Sequence, residues 1–264
     1  MIFDRASYIN EPVLIAKELK ILFEFKPLTI FEIGACEGED SIKYSRLFPN
    51  SKIYAFEPLL DNIKHIENNL RKYNITNISF YNLALSSEKG IAEFFVSQGK
   101  PEEVPESDWD YGNKSSSLLP PDKHVEIYDF IKFDKKIEVE TTTIQHFCKL
   151  NNISEIDFIH MDVQGAELMV LNGAGAFINS IKSIWLEVST VEMYKNQPLA
   201  KDIKSFMKDN NFVLVKDCVA SKQGDQLFIS KTFFPDYKTL FPRANQSKKK
   251  YFFGLIKKII RSIT

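Results

Sequence analysis

The sequence predicts an α/β fold in which a doubly wound, mostly parallel sheet carries helices on both faces. Short β-rich runs alternate along the chain with helical patterns, which is the order of a parallel sheet that is covered on both sides. In one of the helical patterns the apolar residues Ile63, Ile66 and Leu70 recur at the three- and four-residue spacing of a single helix face. Glycines and acidic residues follow the ends of several predicted strands, where open α/β sheets bind their ligands.

The elements follow one another in a regular order on both sides of an irregular middle. The first half is predicted to run strand, helix, strand, helix, strand over residues 28–34, 38–48, 52–58, 59–73 and 77–85. The second half is predicted to have strands at residues 156–163, 181–189, 212–217 and 225–230, and helices at residues 165–178 and 199–210. The chain therefore returns to the sheet after an insertion.

The insertion precedes the fourth core strand and is predicted to contain two extra strands, residues 91–97 and 135–144, with a long loop between them. Residues 98–123 of this loop are rich in Pro, Gly, Ser and charge. Loops of this length in a compact domain are usually functional or disordered. We therefore expect either a lid over the site or a surface excursion.

Residues 248–264 form a tail of different character. They carry six Lys or Arg residues and no acid, while apolar residues recur on one helical face. A basic amphipathic helix of this kind is typical of an anchor on an anionic membrane surface. The alternative is a terminal helix that docks on its own domain or on a second subunit. We divide the chain into a helical N-terminal cover (residues 1–27), the main domain (28–247) and this tail.

The composition is that of an ordinary globular protein, with 44% hydrophobic residues, 26% charged residues and a net charge of -1. No overall basic character indicates a nucleic-acid partner. Three widely spaced cysteines argue against a disulfide framework or a zinc site and fit a reducing compartment. The start of the chain lacks the apolar core of a signal peptide and no segment is apolar enough to span a bilayer, so we expect a cytoplasmic location.

The stretch FEIGACEGED, residues 31–40, ends the first strand and begins the next helix. Its Gly34 and Gly38 do not have the G-x-G-x-x-G spacing of dinucleotide-binding loops. Glu37, Glu39 and Asp40 would repel a diphosphate at this helix N-terminus and favour a positively charged ligand such as a sulfonium. The alternative is that these acids are only the residues that helix starts prefer.

Further acids mark the ends of other strands. Glu32 lies inside an apolar strand, where a carboxylate needs a hydrogen-bond or charge partner, so it is expected to contact loop amides or ligand. Glu57 closes the second strand about twenty residues after the glycines, in a position to accept hydrogen bonds from a ribose. Asp162 ends the fourth core strand and is expected to face the crevice, and it could instead, or at the same time, cap the next helix. Glu187 ends the following strand, but two carboxylates are poor evidence for a metal, and we predict none.

These segments together resemble the FkbM family of S-adenosylmethionine-dependent methyltransferases. The similarity extends over residues 28–231 and is most specific in DVQGAEL followed by VLNGA, residues 162–168 and 170–174. The resemblance implies a class I methyltransferase fold, which is Rossmann-like, with S-adenosylmethionine as cofactor and O-methylation of a hydroxyl, often of a sugar or natural product. It also implies cofactor contacts, which with Glu32 and Asp162 are Gly34, Ala35, Gly38, Asp40, Ser41, Glu57, Pro58, Ala84 and Leu85.

Two positions depart from the pattern of the family. His160 stands where the family commonly has Lys, and Gln145 stands where it commonly has Asp. An alcohol is a poor nucleophile while it is protonated, so a general base is expected near the acceptor. Asp162 is the first candidate, and His160 or His124 could serve instead. We expect His65 and His146 to be structural.

The acceptor is predicted to be a hydroxyl of a sugar in a surface polysaccharide or glycan precursor. Two other classes of function stay open from sequence. One is a nicotinamide-dependent oxidoreductase on a similar fold, and the other is a non-catalytic scaffold that binds membranes or glycans. An exposed apolar terminal helix would also permit oligomers.

Overall fold

The structure is a computed structural model that describes residues 4–102, 108–242 and 244. The helices within these residues are α1 (Arg5–Asn10), α2 (Ala16–Phe23), α3 (Glu39–Leu47), α4 (Leu60–Lys72), α5 (His124–Ile127), α6 (Ile144–Leu150), α7 (Glu167–Asn172), α8 (Ala200–Asp209) and α9 (Tyr237–Leu240). The strands are β1 (Thr29–Ile33), β2 (Lys52–Phe56), β3 (Ile78–Tyr81), β4 (Ala84–Leu85), β5 (Gly90–Gln98), β6 (Lys132–Thr142), β7 (Ile156–Met161), β8 (Ile181–Ser189), β9 (Phe212–Asp217) and β10 (Gln223–Ser230).

The main sheet has the strand order β3-β2-β1-β7-β8-β10-β9. Its strands are parallel except β10, which is antiparallel to both of its neighbours. The strand order reverses between β1 and β7, so a crevice opens at the carboxyl ends of these two strands. The predicted doubly wound, mostly parallel sheet is confirmed.

Alternating residues of the strands supply two separate cores. On one face, Phe31 and Ile33 of β1 pack with apolar residues of α6, α7 and α8. On the other face, Ile30 packs with residues of α2, α3 and α4. Because successive strand residues point to opposite faces, one five-residue strand serves both cores.

The prediction of a third strand over residues 77–85 is wrong for the carboxyl end of that strand. The chain leaves the main sheet after Tyr81, and β4 pairs instead with β6 in a second sheet of order β4-β6-β5. A tight turn causes the break, because the N–H of Leu83 donates to the carbonyl of Tyr81 at 3.0 Å. The predicted helix over residues 165–178 also ends early, at Asn172, and a 3-10 helix follows at Gly175–Ser180.

The long loop of the insertion lies over the crevice in its described part. A single 3-10 turn, Asn113–Ser115, is the regular structure within residues 108–123. Ser117 fastens the loop on two sides, since its backbone pairs with Phe95 at 2.8 and 3.0 Å and its Oγ donates to the carbonyl of Gln164 at 2.8 Å. This position of the loop supports its predicted role as a lid rather than as a surface excursion.

The predicted tail, residues 248–264, lies outside the described residues. None of the helices described here is long and apolar enough to cross a membrane. At the other end of the chain, α1 and α2 supply the helices expected within residues 1–27. The domain boundaries at residues 27 and 247 stay predictions.

Candidate active site

A cavity of about 230 Å³ opens at the carboxyl ends of β1, β2 and β7, below the long loop. The fold brings most of the predicted site residues into its wall. These are Glu32, Gly34, Ala35, Asp40, Glu57, Pro58, Ala84, Leu85, His160 and Asp162. Residues that are separated by more than 120 positions in the sequence thus share one cavity, which we call the cofactor cavity.

Gly34 allows β1 and β7 to meet at the floor of this cavity. Its φ angle is 84°, in the left-handed region, and an added Cβ would overlap the backbone carbonyl oxygen of Asp162. The N–H of Asp162 in turn donates to the carbonyl of Ile33 at 3.0 Å. Only glycine fits this close backbone approach.

Glu57 is fixed at the end of β2 by backbone amides. Its Oε2 accepts from the N–H of Cys36 and its Oε1 from the N–H of Leu59, both at 2.9 Å. Burial raises the pKa of Glu57 to about 7, although these hydrogen bonds favour the charged form. Each carboxylate oxygen has a second lone pair, so the group is still able to accept hydrogen bonds from a ligand in the cavity.

The acids after β1 are largely neutralised by bases of the same chain. Glu37 forms a buried ion pair with Arg5 of α1 and does not line the cavity. Glu39 pairs with Lys114 at 3.2 Å, and Asp40 pairs with Lys43 at 3.3 Å. The prediction that three free carboxylates favour a cationic ligand is therefore wrong for Glu37, and it is weakened for the other two.

Lys114 is a cavity residue that sequence reasoning missed. It comes from the loop, and its Nζ lies 4.1 Å from the ring centroid of Trp109 and 3.6 Å from Cys36 Sγ. Burial lowers the pKa of Lys114, but the neighbouring Cys36 and Glu39 outweigh burial and raise it above its usual value. The lid thus places a positive charge inside the cavity, and the only hint in the sequence was the adjacent serine cluster at residues 115–117.

Glu32 and His160 form a buried pair across β1 and β7. The two residues are register partners, and His160 Nδ1 lies 2.8 Å from Glu32 Oε1. Burial lowers the pKa of His160, yet the charge of Glu32 outweighs this effect and raises that pKa to about 9. His160 therefore holds its proton at neutral pH and is not a general base in this state. The protein partner of Glu32 is this imidazole rather than the loop amides that we expected.

Gln164 organises the acids around Asp162. Its Nε2 donates to Asp162 Oδ1 at 2.7 Å and to Glu187 Oε2 at 3.2 Å, while its Oε1 accepts from the Tyr194 hydroxyl at 3.0 Å. An amide thus bridges the two carboxylates that were weighed as metal ligands. Burial raises the pKa of Asp162.

The turn into α7 is capped by Glu167 and not by Asp162. Glu167 Oε1 accepts from the N–H groups of Gly165 and Val163 at 3.1 and 3.3 Å. The capping role considered for Asp162 is therefore wrong, and its carboxylate lies in the cavity wall.

Three predicted residues lie outside the lining of the cavity. Gly38 forms the left-handed turn that begins α3, with φ 81°, and packs against Ile66. Ser41 is fully buried in α3. His124 is held by a hydrogen bond from its N–H to the carbonyl of Met193 at 3.0 Å. The ring of His124 packs among Tyr128, Phe133 and Tyr194, so the structure does not bring this candidate base to the site.

The chemistry of the cavity fits S-adenosylmethionine. One end is apolar, with Pro58, Leu85 and Leu118 suited to an adenine ring. Glu57 provides acceptors for ribose hydroxyls. Lys114 offers a counter-charge to the carboxylate of an amino acid. Glu32, Asp40 and Glu39 are paired with His160, Lys43 and Lys114. Glu57 and Asp162 have no ion pair among the described residues, and they leave an acidic excess that suits a cationic sulfur and opposes a diphosphate.

Comparisons with known proteins give the same result. Residues 32–214 match the model of the methyltransferase FkbM domain. The 2-O-methyltransferase NoeI of Sinorhizobium fredii is 28% identical over 211 residues, which cover 80% of this chain and 83% of that protein.

The solved structures that are similar to this chain are more distant. The magnesium protoporphyrin IX methyltransferase of Synechocystis, solved with bound S-adenosylmethionine, has a TM-score of 0.47 at 9% identity, over 86% of this chain and 79% of that one. An rRNA methylase of Streptococcus thermophilus has a TM-score of 0.45 at 9% identity, over 84% and 98%. Since the family model covers well over half of the sequence, the chain belongs to the FkbM family of S-adenosylmethionine-dependent methyltransferases.

Proposed function

We propose that this methyltransferase acts on oxygen and transfers its methyl group to a hydroxyl of a sugar, within a surface polysaccharide or a glycan precursor. The observation that carries the proposal is Asp162, a half-buried carboxylate held by Gln164 in the wall of the cofactor cavity. The relative NoeI, named as a 2-O-methyltransferase, supports the choice of oxygen. Family membership decides against the nicotinamide-dependent oxidoreductase and the non-catalytic scaffold.

Asp162 is proposed as the general base. The bound cofactor supplies a methyl group attached to a positively charged sulfur. An acceptor hydroxyl that is methylated has to lose its proton, and the Asp162 carboxylate would take up this proton. Burial raises the pKa of Asp162 and makes it a stronger base than an exposed aspartate.

His160 and Gln164 are proposed to support Asp162 in different ways. Gln164 Nε2 fixes the carboxylate at 2.7 Å and so limits its rotation. His160, kept protonated by Glu32, stabilises the negative charge of Asp162 until the proton arrives. Alignment of the acceptor supplies the rest of the rate.

The test is methyl transfer from tritium-labelled S-adenosylmethionine to separate neutral oligosaccharides, peptides, lipids and nucleic acids. We expect label in a neutral oligosaccharide, in a product that survives mild alkali because a methyl ether, unlike an ester, is not hydrolysed. Asp162→Asn should lower kcat by about 10²- to 10⁴-fold, the range of general-base catalysis. The control Asp209→Asn, at the exposed end of α8, should keep wild-type activity. Label in an amine, a carboxylate or a nucleic acid would contradict the proposal.

We also propose a cytoplasmic location, with residues 248–264 binding the anionic inner face of the membrane. The basic, amphipathic character of this segment supports the proposal. Co-sedimentation with anionic vesicles should be lost in a chain that ends at Ser247, while neutral vesicles should bind neither form. Equal pelleting of both forms would refute the anchor.

A further inference from the structure

A second cavity, of about 750 Å³, adjoins the cofactor cavity. Tyr8, Asp40, His160 and Asp162 line both, so these four side chains form the boundary between them. The volume falls within the range of about 300–1,000 Å³ that is usual for ligand pockets. A molecule bound there would meet the proposed base at one end.

The sheet supplies the floor of this second cavity. Trp185 of β8 is the register partner of His160, it is only 4% exposed, and it lines the second cavity but not the first. Glu187 follows two residues later on the same face of the strand, and Asp225 of β10 lies directly opposite Glu187. The segment 11–15, after α1, lines the cavity as well. An aromatic ring with carboxylates beside it thus forms one surface.

The carboxylates of Glu187 and Asp225 differ in the number of hydrogen bonds that they accept from protein side chains. Glu187 accepts from Gln164 Nε2 at 3.2 Å and from Gln223 Nε2 at 3.0 Å. The Asp225 side chain makes no hydrogen bond or ion pair with the other described residues. Because a half-buried carboxylate without a partner is unfavourable, Asp225 is available for a ligand that donates hydrogen bonds.

The bases in the wall of the second cavity are already engaged. Lys43 pairs with Asp40 at 3.3 Å, Lys216 pairs with Glu18 at 3.0 Å, and His160 pairs with Glu32. An anionic acceptor would therefore find no free counter-charge among the described residues. A neutral ligand with several hydroxyl groups would instead donate to these oxygens.

We propose that the second cavity is the acceptor site and that it holds a neutral sugar residue, which lies against the small exposed part of Trp185 and whose hydroxyls donate to Asp225 and Glu187. This assignment rests on the proposed function. The hydroxyl that is methylated lies at the boundary, beside Asp162. Because the rest of the Trp185 ring is packed in the core, its exposed part is held in a fixed position at the floor of the cavity.

The first test measures binding. The chain has two tryptophans, so Trp109→Phe leaves Trp185 as the sole tryptophan. With saturating S-adenosylhomocysteine, we titrate methyl glycosides of glucose, galactose, mannose and N-acetylglucosamine, and glucuronate as the charged counterpart. We expect the Trp185 emission to change with at least one neutral glycoside and not with glucuronate. A response to glucuronate alone would overturn the neutral specificity.

The second test measures turnover in Trp185→Leu and Asp225→Asn. Both should raise KM for the saccharide by about tenfold or more, the effect of losing a hydrogen bond to a charged group or an aromatic contact. Because neither residue lines the cofactor cavity, the affinity for S-adenosylhomocysteine should stay within about twofold, which also shows that the variants fold. Asp209→Asn is the matched control.

The outcomes separate the two proposals. Transfer to a saccharide with unchanged KM in both variants would overturn the acceptor site and leave the proposed function intact. Absence of transfer to every neutral glycoside by the wild type would overturn both.

Discussion

Arg5 of α1 connects this helix to the loop after β1 through a buried ion pair. Its guanidinium forms an ion pair with Glu37, and its Nε lies 3.6 Å from Glu39 Oε1. The side chains of Arg5 and Glu37 are 10% and 2% exposed, so water does not screen their interaction. Arg5→Met removes the positive charge and keeps the length of the side chain.

The expected loss is large because Glu37 would stay buried without its counter-charge. Breaking a buried ion pair from one side lowers the free energy of unfolding by about 3–5 kcal/mol, whereas an exposed pair contributes about 0–1 kcal/mol. The exposed pair Lys64–Asp61, at 2.8 Å and 63% and 82% exposed, provides the matched control Lys64→Met. The double variant Arg5→Met/Glu37→Gln removes both charges and should recover most of the loss.

Urea unfolding followed by far-ultraviolet circular dichroism measures five proteins, which are the wild type, Arg5→Met, Glu37→Gln, the double variant and the control Lys64→Met. Arg5→Met should lower the midpoint strongly and Lys64→Met hardly at all. The reasoning is refuted if the two single variants lose equal stability, or if the double variant loses the sum of the effects of Arg5→Met and Glu37→Gln, since either result would mean that the buried charges do not interact.

Three further predictions concern the cofactor cavity, each measured by calorimetric titration with S-adenosylhomocysteine. Glu57 should be ionised to bind ribose, and its pKa is raised to about 7, so affinity should rise about tenfold from pH 6 to pH 8 in the wild type and stay flatter in Glu57→Gln. Gly34→Ala should abolish binding and lower the free energy of unfolding by more than about 2 kcal/mol, because a left-handed φ costs about 1–2 kcal/mol and the Cβ overlaps a carbonyl oxygen. Lys114→Met should weaken binding about tenfold through the loss of a charged hydrogen bond.

Each of these variants has a control and a contradicting result. Gly90→Ala, where an added Cβ meets no atom within 4 Å, should leave stability and binding unchanged, and equal losses at both glycines would contradict the close-approach argument. Lys123→Met, exposed in the same loop, is the control for Lys114→Met, and equal affinities would remove Lys114 from the site. A pH profile that Glu57→Gln shares with the wild type would assign the titration to another group.

Much of the fold could be predicted from the sequence because it depends on local patterns of apolar and polar residues. The order of strands and helices, the parallel sheet and the strand-end residues Gly34, Glu57 and Asp162 all follow from periodicity and from the general rule that ligands bind at the carboxyl ends of strands. The predictions from sequence are wrong where contacts in the folded structure outweigh the sequence pattern. The third strand ends at Tyr81 because a turn intervenes, and His124 packs among aromatic rings because its backbone is anchored to Met193.

The sequence by itself determined the fold class, the family resemblance and ten of the residues that line the cofactor cavity, since these depend on residue patterns along the chain and on the motifs that carry the resemblance. Only the tertiary structure decided which charges are compensated. Arg5 neutralises Glu37 over 32 positions, Lys114 reaches Glu39 over 75, and Glu32 keeps His160 protonated over 128. The pKa of a side chain depends on burial and on neighbours in space, and neither is a property of sequence spacing.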